Sequence, residues 1–106
     1  MKQSIKFEVE LDENHLPLNI EMKTSEGSSN ENNLKALMLS AWAAKTKETL
    51  RIDLWTKEMP VNEMCIMYHQ TLTGMASTLE RATGQSNLAD ALRDYCAFFA
   101  EQTKIK

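Results

Sequence analysis

The chain has 106 residues, with 15 acidic against 12 basic side chains and a formal net charge of -3. This length suits one domain, residues 1–106, with a single core, and the absence of a Lys/Arg stripe argues against phosphate neutralisation and hence against nucleic-acid binding. No apolar run approaches the roughly 20 residues that span a bilayer, and MKQSIKFEVELDE turns acidic by Glu8, where a signal peptide would carry its apolar region; the expected location is cytoplasmic.

The first element is Ser4 to Leu11, SIKFEVEL. Ile5, Phe7, Val9 and Leu11 alternate with Lys6, Glu8 and Glu10, and period two over this length predicts a half-buried strand. After a polar DENH, Leu16 to Lys23 resumes the alternation, with Leu18, Ile20 and Met22 on one side. The two segments read as a hairpin, with Pro17 at the start of the second strand, where a missing N–H is tolerated.

Residues 24–33, TSEGSSNENN, contain no apolar residue and predict a surface loop. Leu34 to Trp42, LKALMLSAW, suits strand or helix by composition. The connection AAKTKE and the alternating TLRIDLWT that follow favour a strand, apolar on both faces and central in a sheet. In TLRIDLWT, Leu50, Ile52 and Leu54 are expected to face the core, with Arg51, Asp53 and Trp55 opposite.

Pro60 fits the first turn of a helix, where its absent N–H costs nothing. From there to Thr83 the period becomes 3.6, with Met64, Met67, Tyr68, Thr71, Leu72, Met75 and Leu79 on one stripe. Gly84 is expected as the C-cap and Ser86 as the cap of the next helix, roughly Asn87 to Thr103. That helix carries Leu88, Leu92, Tyr95, Cys96 and Phe99 on one side. Strands followed by helices predict an α+β fold: a four-stranded antiparallel sheet of two hairpins, with two amphipathic helices packed on one face. Met38, Trp42 and Trp55 are then left over as candidates for an oligomer or partner surface.

The candidate chemistry is thin. Cys65 and His69 stand one helical turn apart, as two metal ligands or a thiol beside a base would, with Glu63 or Asp53 as a possible third group. Two ligands do not make a site, and neither CxxC nor HxxxH occurs. Cys65 and Cys96 are expected as free thiols packed like small apolar residues. The carboxylates Asp53, Glu58 and Glu63 fall on an alternating strand and near a helix start, where solvated acids normally sit. The three glycines are isolated, so no phosphate loop is formed. Neither a catalytic residue nor a metal or other cofactor is expected. Arg81 is placed to pair with Asp90 or Asp94 of the second helix.

The stretches LRIDLWTKEMPVNEM and HQTLTGMASTLERATG within residues 50–84 closely resemble the family of gliding-motility protein C, GldC, of gliding Bacteroidetes. FEVELDENHLP at 7–17 and ALRDYCAFFAEQ at 91–102 resemble the same family. The resemblance implies a small cytoplasmic protein needed for full gliding or spreading, with no reaction of its own, linked to the lipoprotein GldB of the same machinery. It carries over no catalytic residue. Trp55, Lys57, Glu58, Met59 and Pro60 are the expected partner contacts, because a Trp opposite the core face at a strand–helix corner suits an interface anchor. A homo-oligomer is a further expectation. The alternative is a client-binding module similar in layout to the SecB chaperones, and behind it stands an enzyme using Cys65 and His69.

Overall fold

A computed structural model of the chain describes residues 1–27 and 30–105. The strands are β1 (Ile5–Leu11), β2 (Pro17–Thr24), β3 (Glu31–Leu34), β4 (Ala36–Ala43) and β5 (Glu48–Trp55), and the helices are α1 (Val61–Thr83) and α2 (Ser86–Thr103). By their contacts the residues form two compact units, Met1–Met59 with the strands and Pro60–Lys106 with the helices.

The fold is α+β, but the expected four-stranded sheet is instead a three-stranded sheet in the order β1-β2-β3 and a two-stranded sheet β4-β5. The difference arises in the polar run after Thr24. Glu31 to Asn33, expected as loop, join Leu34, expected as the first residue of the next strand, in β3, which pairs antiparallel with β2, with Ile20 opposite Leu34. The chain then bends at Lys35, and β4 pairs with β5. A strand this polar is recruited by the edge of its neighbour and not by its own hydrophobicity. Thr24 N–H donates to Asn30 Oδ1 at 2.9 Å, joining the two ends of the connection; Ser28 and Ser29, within the expected loop, lie outside the described residues.

In the first sheet the expected alternation holds at the centre of the face, while Ile5, Leu11 and Leu18, expected on the same side, are exposed. Phe7 faces Met22 and Val9 faces Ile20, which is fully buried (0 % exposed). On the opposite face like charges stand in register, Lys6 with Lys23 and Glu8 with Glu21. Such pairs repel, and the diagonal contact of Lys23 Nζ with Glu8 at 2.7 Å offsets them. That ammonium, through its hydrogen bond and charge, holds the Glu8 carboxyl below its ordinary pKa.

The β4–β5 hairpin pairs Leu37 with Leu54, Leu39 with Ile52 and Ala41 with Leu50, so one face is apolar up to the Ala43–Glu48 pair at its turn end. Leu50 and Ile52 were expected in the core but are 60 % and 48 % exposed, and only Leu54 is half-buried. The opposite face carries Met38, Ser40 and Trp42 against Asp53, Arg51 and Thr49. Arg51 there donates to Asp53 Oδ1 at 2.7 Å and to Ser40 Oγ at 2.5 Å.

The helical unit follows its 3.6 period with the seam displaced towards small residues. Ala76 of α1 and Ala89, Cys96 and Ala100 of α2 are buried, whereas Tyr68, Met75, Leu88 and Tyr95, expected on the core stripes, are exposed. Alanines let helix backbones approach closely, which pushes larger neighbours to the flanks. Gly84 is the C-cap expected of it, at φ 71°, with its N–H donating to Glu80 O at 2.8 Å. Ser86 does not cap α2; Gln85 holds that position and Ser86 is the first helical residue. The Ser86 side chain instead hydrogen-bonds Glu80.

The ion pair between helices also differs from expectation. Arg93 reaches Glu80 at 2.7 Å and Asp90 at 2.8 Å, while Arg81 contacts Thr78 Oγ1 at 3.3 Å on its own helix. Arg93 and Glu80 fall on the facing sides, and the Arg93 hydrogen bond is the largest influence keeping the Glu80 carboxyl below its ordinary pKa.

Candidate functional site

The corner that leaves β5 is built by a buried threonine and a salt bridge. Thr56 is 2 % exposed, and its N–H donates to Lys35 O at 2.8 Å, one step beyond the β4–β5 register. Met59 N–H donates to Thr56 O at 3.1 Å and closes the turn. Fixing Thr56 inward fixes the alternation, so Trp55 before it and Lys57 after it point outward; Trp55 is 59 % exposed.

Lys57 is not a free cation. Its Nζ forms an ion pair with Asp12 Oδ2 in the β1–β2 turn. Asp12 organises that turn: Oδ1 accepts the N–H groups of Asn14 at 2.8 Å and Leu16 at 2.9 Å, and its carbonyl accepts that of His15 at 3.0 Å. An Asp side chain satisfying N–H groups two and four residues on is the usual economy of such turns, and His15 takes the left-handed conformation at φ 63°. The Lys57 hydrogen bond first, and the Leu16 N–H next, hold the Asp12 carboxyl below its ordinary pKa.

The outcome is a shallow hollow of about 200 Å³ lined by Leu16, Pro17, Trp55, Thr56, Lys57 and Met59. Lys57 also lines a second hollow, with Leu11, Asp12, Glu13, Asn14 and Leu18. Four of the five expected contact residues, Trp55, Lys57, Glu58 and Met59, are therefore at this corner, with Glu58 exposed and Met59 half-buried. Pro60 begins the helical unit and accepts the Met64 N–H at 2.9 Å. Local patterning missed Asp12, Leu16 and Pro17, although the DENH turn chemistry was visible in the sequence.

The family model for gliding motility-associated GldC-like proteins matches residues 17–105. The chain belongs to the GldC-like family. The match takes in the whole of the hollow beside Trp55 except its Leu16 rim. No curated protein and no solved structure matched. Family membership associates the protein with gliding motility.

The Cys65/His69 reading has a different geometry from the one expected. His69 packs at 6.4 Å between ring centroids against Phe99, in a stacked arrangement. It lines a groove of the helical unit of about 510 Å³ with Ile66, Gln70, Thr73, Arg93 and Cys96. The thiol sharing this groove is Cys96, which is buried, and Cys65 does not line it. Asp53, suggested as a third ligand, is engaged by Arg51. Among the described residues no three His, Cys, Asp or Glu side chains come together as a metal site. No described helix is long and apolar enough to cross a membrane.

Proposed function

We propose that this GldC-like protein serves gliding motility without chemistry of its own, by capturing a protein partner at the corner formed by Trp55, Lys57, Glu58 and Met59. The observation that carries the reading is the exposed Trp55 ring lining a hollow with Leu16, Pro17 and Met59, where Lys57 is held by its ion pair with Asp12. A large rigid aromatic next to a preformed recess loses little conformational freedom on binding, which is why such residues dominate interface energetics. The first partner to test is the lipoprotein GldB that the family resemblance implies. Trp55→Ala is expected to leave the circular dichroism spectrum unchanged and to weaken capture at least tenfold, the loss typical of a hot-spot aromatic. Equal capture by mutant and parent would sink the proposal.

A second reading has an observation of its own. The exposed Leu39, Leu50 and Ile52 form an apolar face of the kind that receives unfolded segments. Suppression of client aggregation by the protein, lost in Leu50→Asp and retained in Trp55→Ala, would favour it over capture at the corner.

A further inference from the structure

The β4–β5 hairpin has Leu37, Leu39, Leu50, Ile52 and Leu54 on one face and an unpaired backbone along the outer side of β5, which pairs with β4 alone among the described residues. An isolated two-stranded hairpin is marginal in water; three or more strands with an apolar face are stable. The sequence along β5 indicates what completes it. Leu50-Arg51-Ile52-Asp53-Leu54 reads the same in hydropathy from either end and with opposite charge about Ile52. A two-fold axis makes residue i meet j and j meet i, so this pattern makes the strand complementary to its own antiparallel copy.

The backbone has the matching phase. Thr56 donates to Lys35 directly across the hairpin. In an antiparallel ladder, residues alternate between bonding one neighbour and the other, so Leu50, Ile52 and Leu54 turn their backbone groups towards β4. Arg51, Asp53, Thr49 and Trp55 turn theirs outward. Pairing about Ile52 sets Arg51 of each chain against Asp53 of the other as hydrogen-bonded pairs, donor to acceptor in both directions. It also sets Leu50 against Leu54 and Ile52 against Ile52 at the closer, non-hydrogen-bonded positions, where side chains pack best. A register displaced by two residues keeps the backbone phase but loses both charge matches, and a displacement by one loses the phase.

We infer that β5 is a homodimer edge: two copies of this chain pair antiparallel about Ile52 to make a continuous β4-β5-β5-β4 sheet, with Arg51 and Asp53 exchanging their intrachain ion pair for two interchain ones. The intrachain contact at 2.7 Å holds both side chains on one face in advance. The partner is a second copy because the complementarity is internal to this strand.

Charge exchange tests it with the whole protein, using light scattering and sedimentation across a concentration series. The parent chain is expected as a dimer. Arg51→Asp places acids opposite acids and Asp53→Arg places bases opposite bases, so each alone weakens dimerisation by about tenfold or more. Mixed in equal amounts, the two variants restore every pair and form a heterodimer; so does the double variant R51D/D53R with itself. Recovery on mixing shows that the single variants are folded. A parent monomeric throughout the series, variants dimerising as well as the parent, or variants that fail to recover on mixing would each overturn the inference; in the first case Arg51 and Asp53 would be charges that keep a free edge from pairing.

Discussion

The β1–β2–β3 sheet and the β4–β5 hairpin follow the same period-two rule and differ in what happens to the apolar face. In the first, Val9, Ile20 and Leu34 lie side by side and Ile20 is lost to solvent entirely. In the second, Leu39, Leu50 and Ile52 line up equally well and stay exposed. Alternation thus determines which side chains share a face, while the third strand and the surrounding chain determine whether the face is covered.

Truncation at the centre of each face gives the largest expected contrast. Ile20→Ala should cost about 2–5 kcal/mol, the range for emptying a closed site. Leu50→Ala should change the stability of the unpaired chain by no more than about 0.5 kcal/mol, as at an ordinary surface position. Urea unfolding of both variants at low protein concentration measures the difference. Equal costs would mean that the hairpin face is as closed as the sheet face and would remove the basis of the contrast. A cost for Leu50→Ala that grows with protein concentration would sharpen it, because it places the lost contacts between chains.

The helical unit extends the comparison to a contact made by small residues. Ala76 is fully buried and its neighbour Met75 is exposed, so Ala76→Leu should cost about 1–3 kcal/mol by overpacking. Met75→Leu should be nearly neutral. Thermal melts of the pair read this directly, and a neutral Ala76→Leu would show a seam loose enough to absorb extra methylenes.

What was legible beforehand follows from the range of each signal. The two periods located β1, β2, β5 and both helices to within a few residues, because burial imposes them locally. They could not locate β3, whose ENN has no apolar member and whose strand geometry depends on the edge of β2. They placed the helix stripes through Cys96, which is buried, and through Met64, Met67, Leu72, Leu79, Leu92 and Phe99, which are half-buried, but not through the buried Ala76, Ala89 and Ala100, where volume is what the approach of two backbones excludes. At the candidate site, Trp55 and Lys57 were readable from alternation and the strand end. Their neighbours Asp12, Leu16 and Pro17 were not, because the contact joins residues far apart in sequence and no local period encodes it.

The smallest expected effect concerns that same long-range contact and its acid dependence. Asp12 has a folded pKa below its ordinary value because Lys57 and two backbone N–H groups favour its charged form. The sign follows by linkage: a depressed carboxyl binds its proton less readily when folded than unfolded, so its contribution is complete at neutral pH and is lost as pH falls through the ordinary carboxylate range, near 4, towards the folded value. Hydrogen exchange at Asn14 and Leu16 should therefore accelerate below about pH 4, beyond the intrinsic exchange rate, as Asp12 protonates. Asp12→Asn keeps the turn acceptor and removes the charge, and it should flatten this acid limb while loosening the Lys57 rim. If the rim shapes the recess for a partner, Asp12→Asn also weakens capture by less than Trp55→Ala does. An unchanged acid limb in the Asn variant would assign the pH dependence to Glu8 or Glu80, whose carboxyls are held low by Lys23 and Arg93 in the same sense.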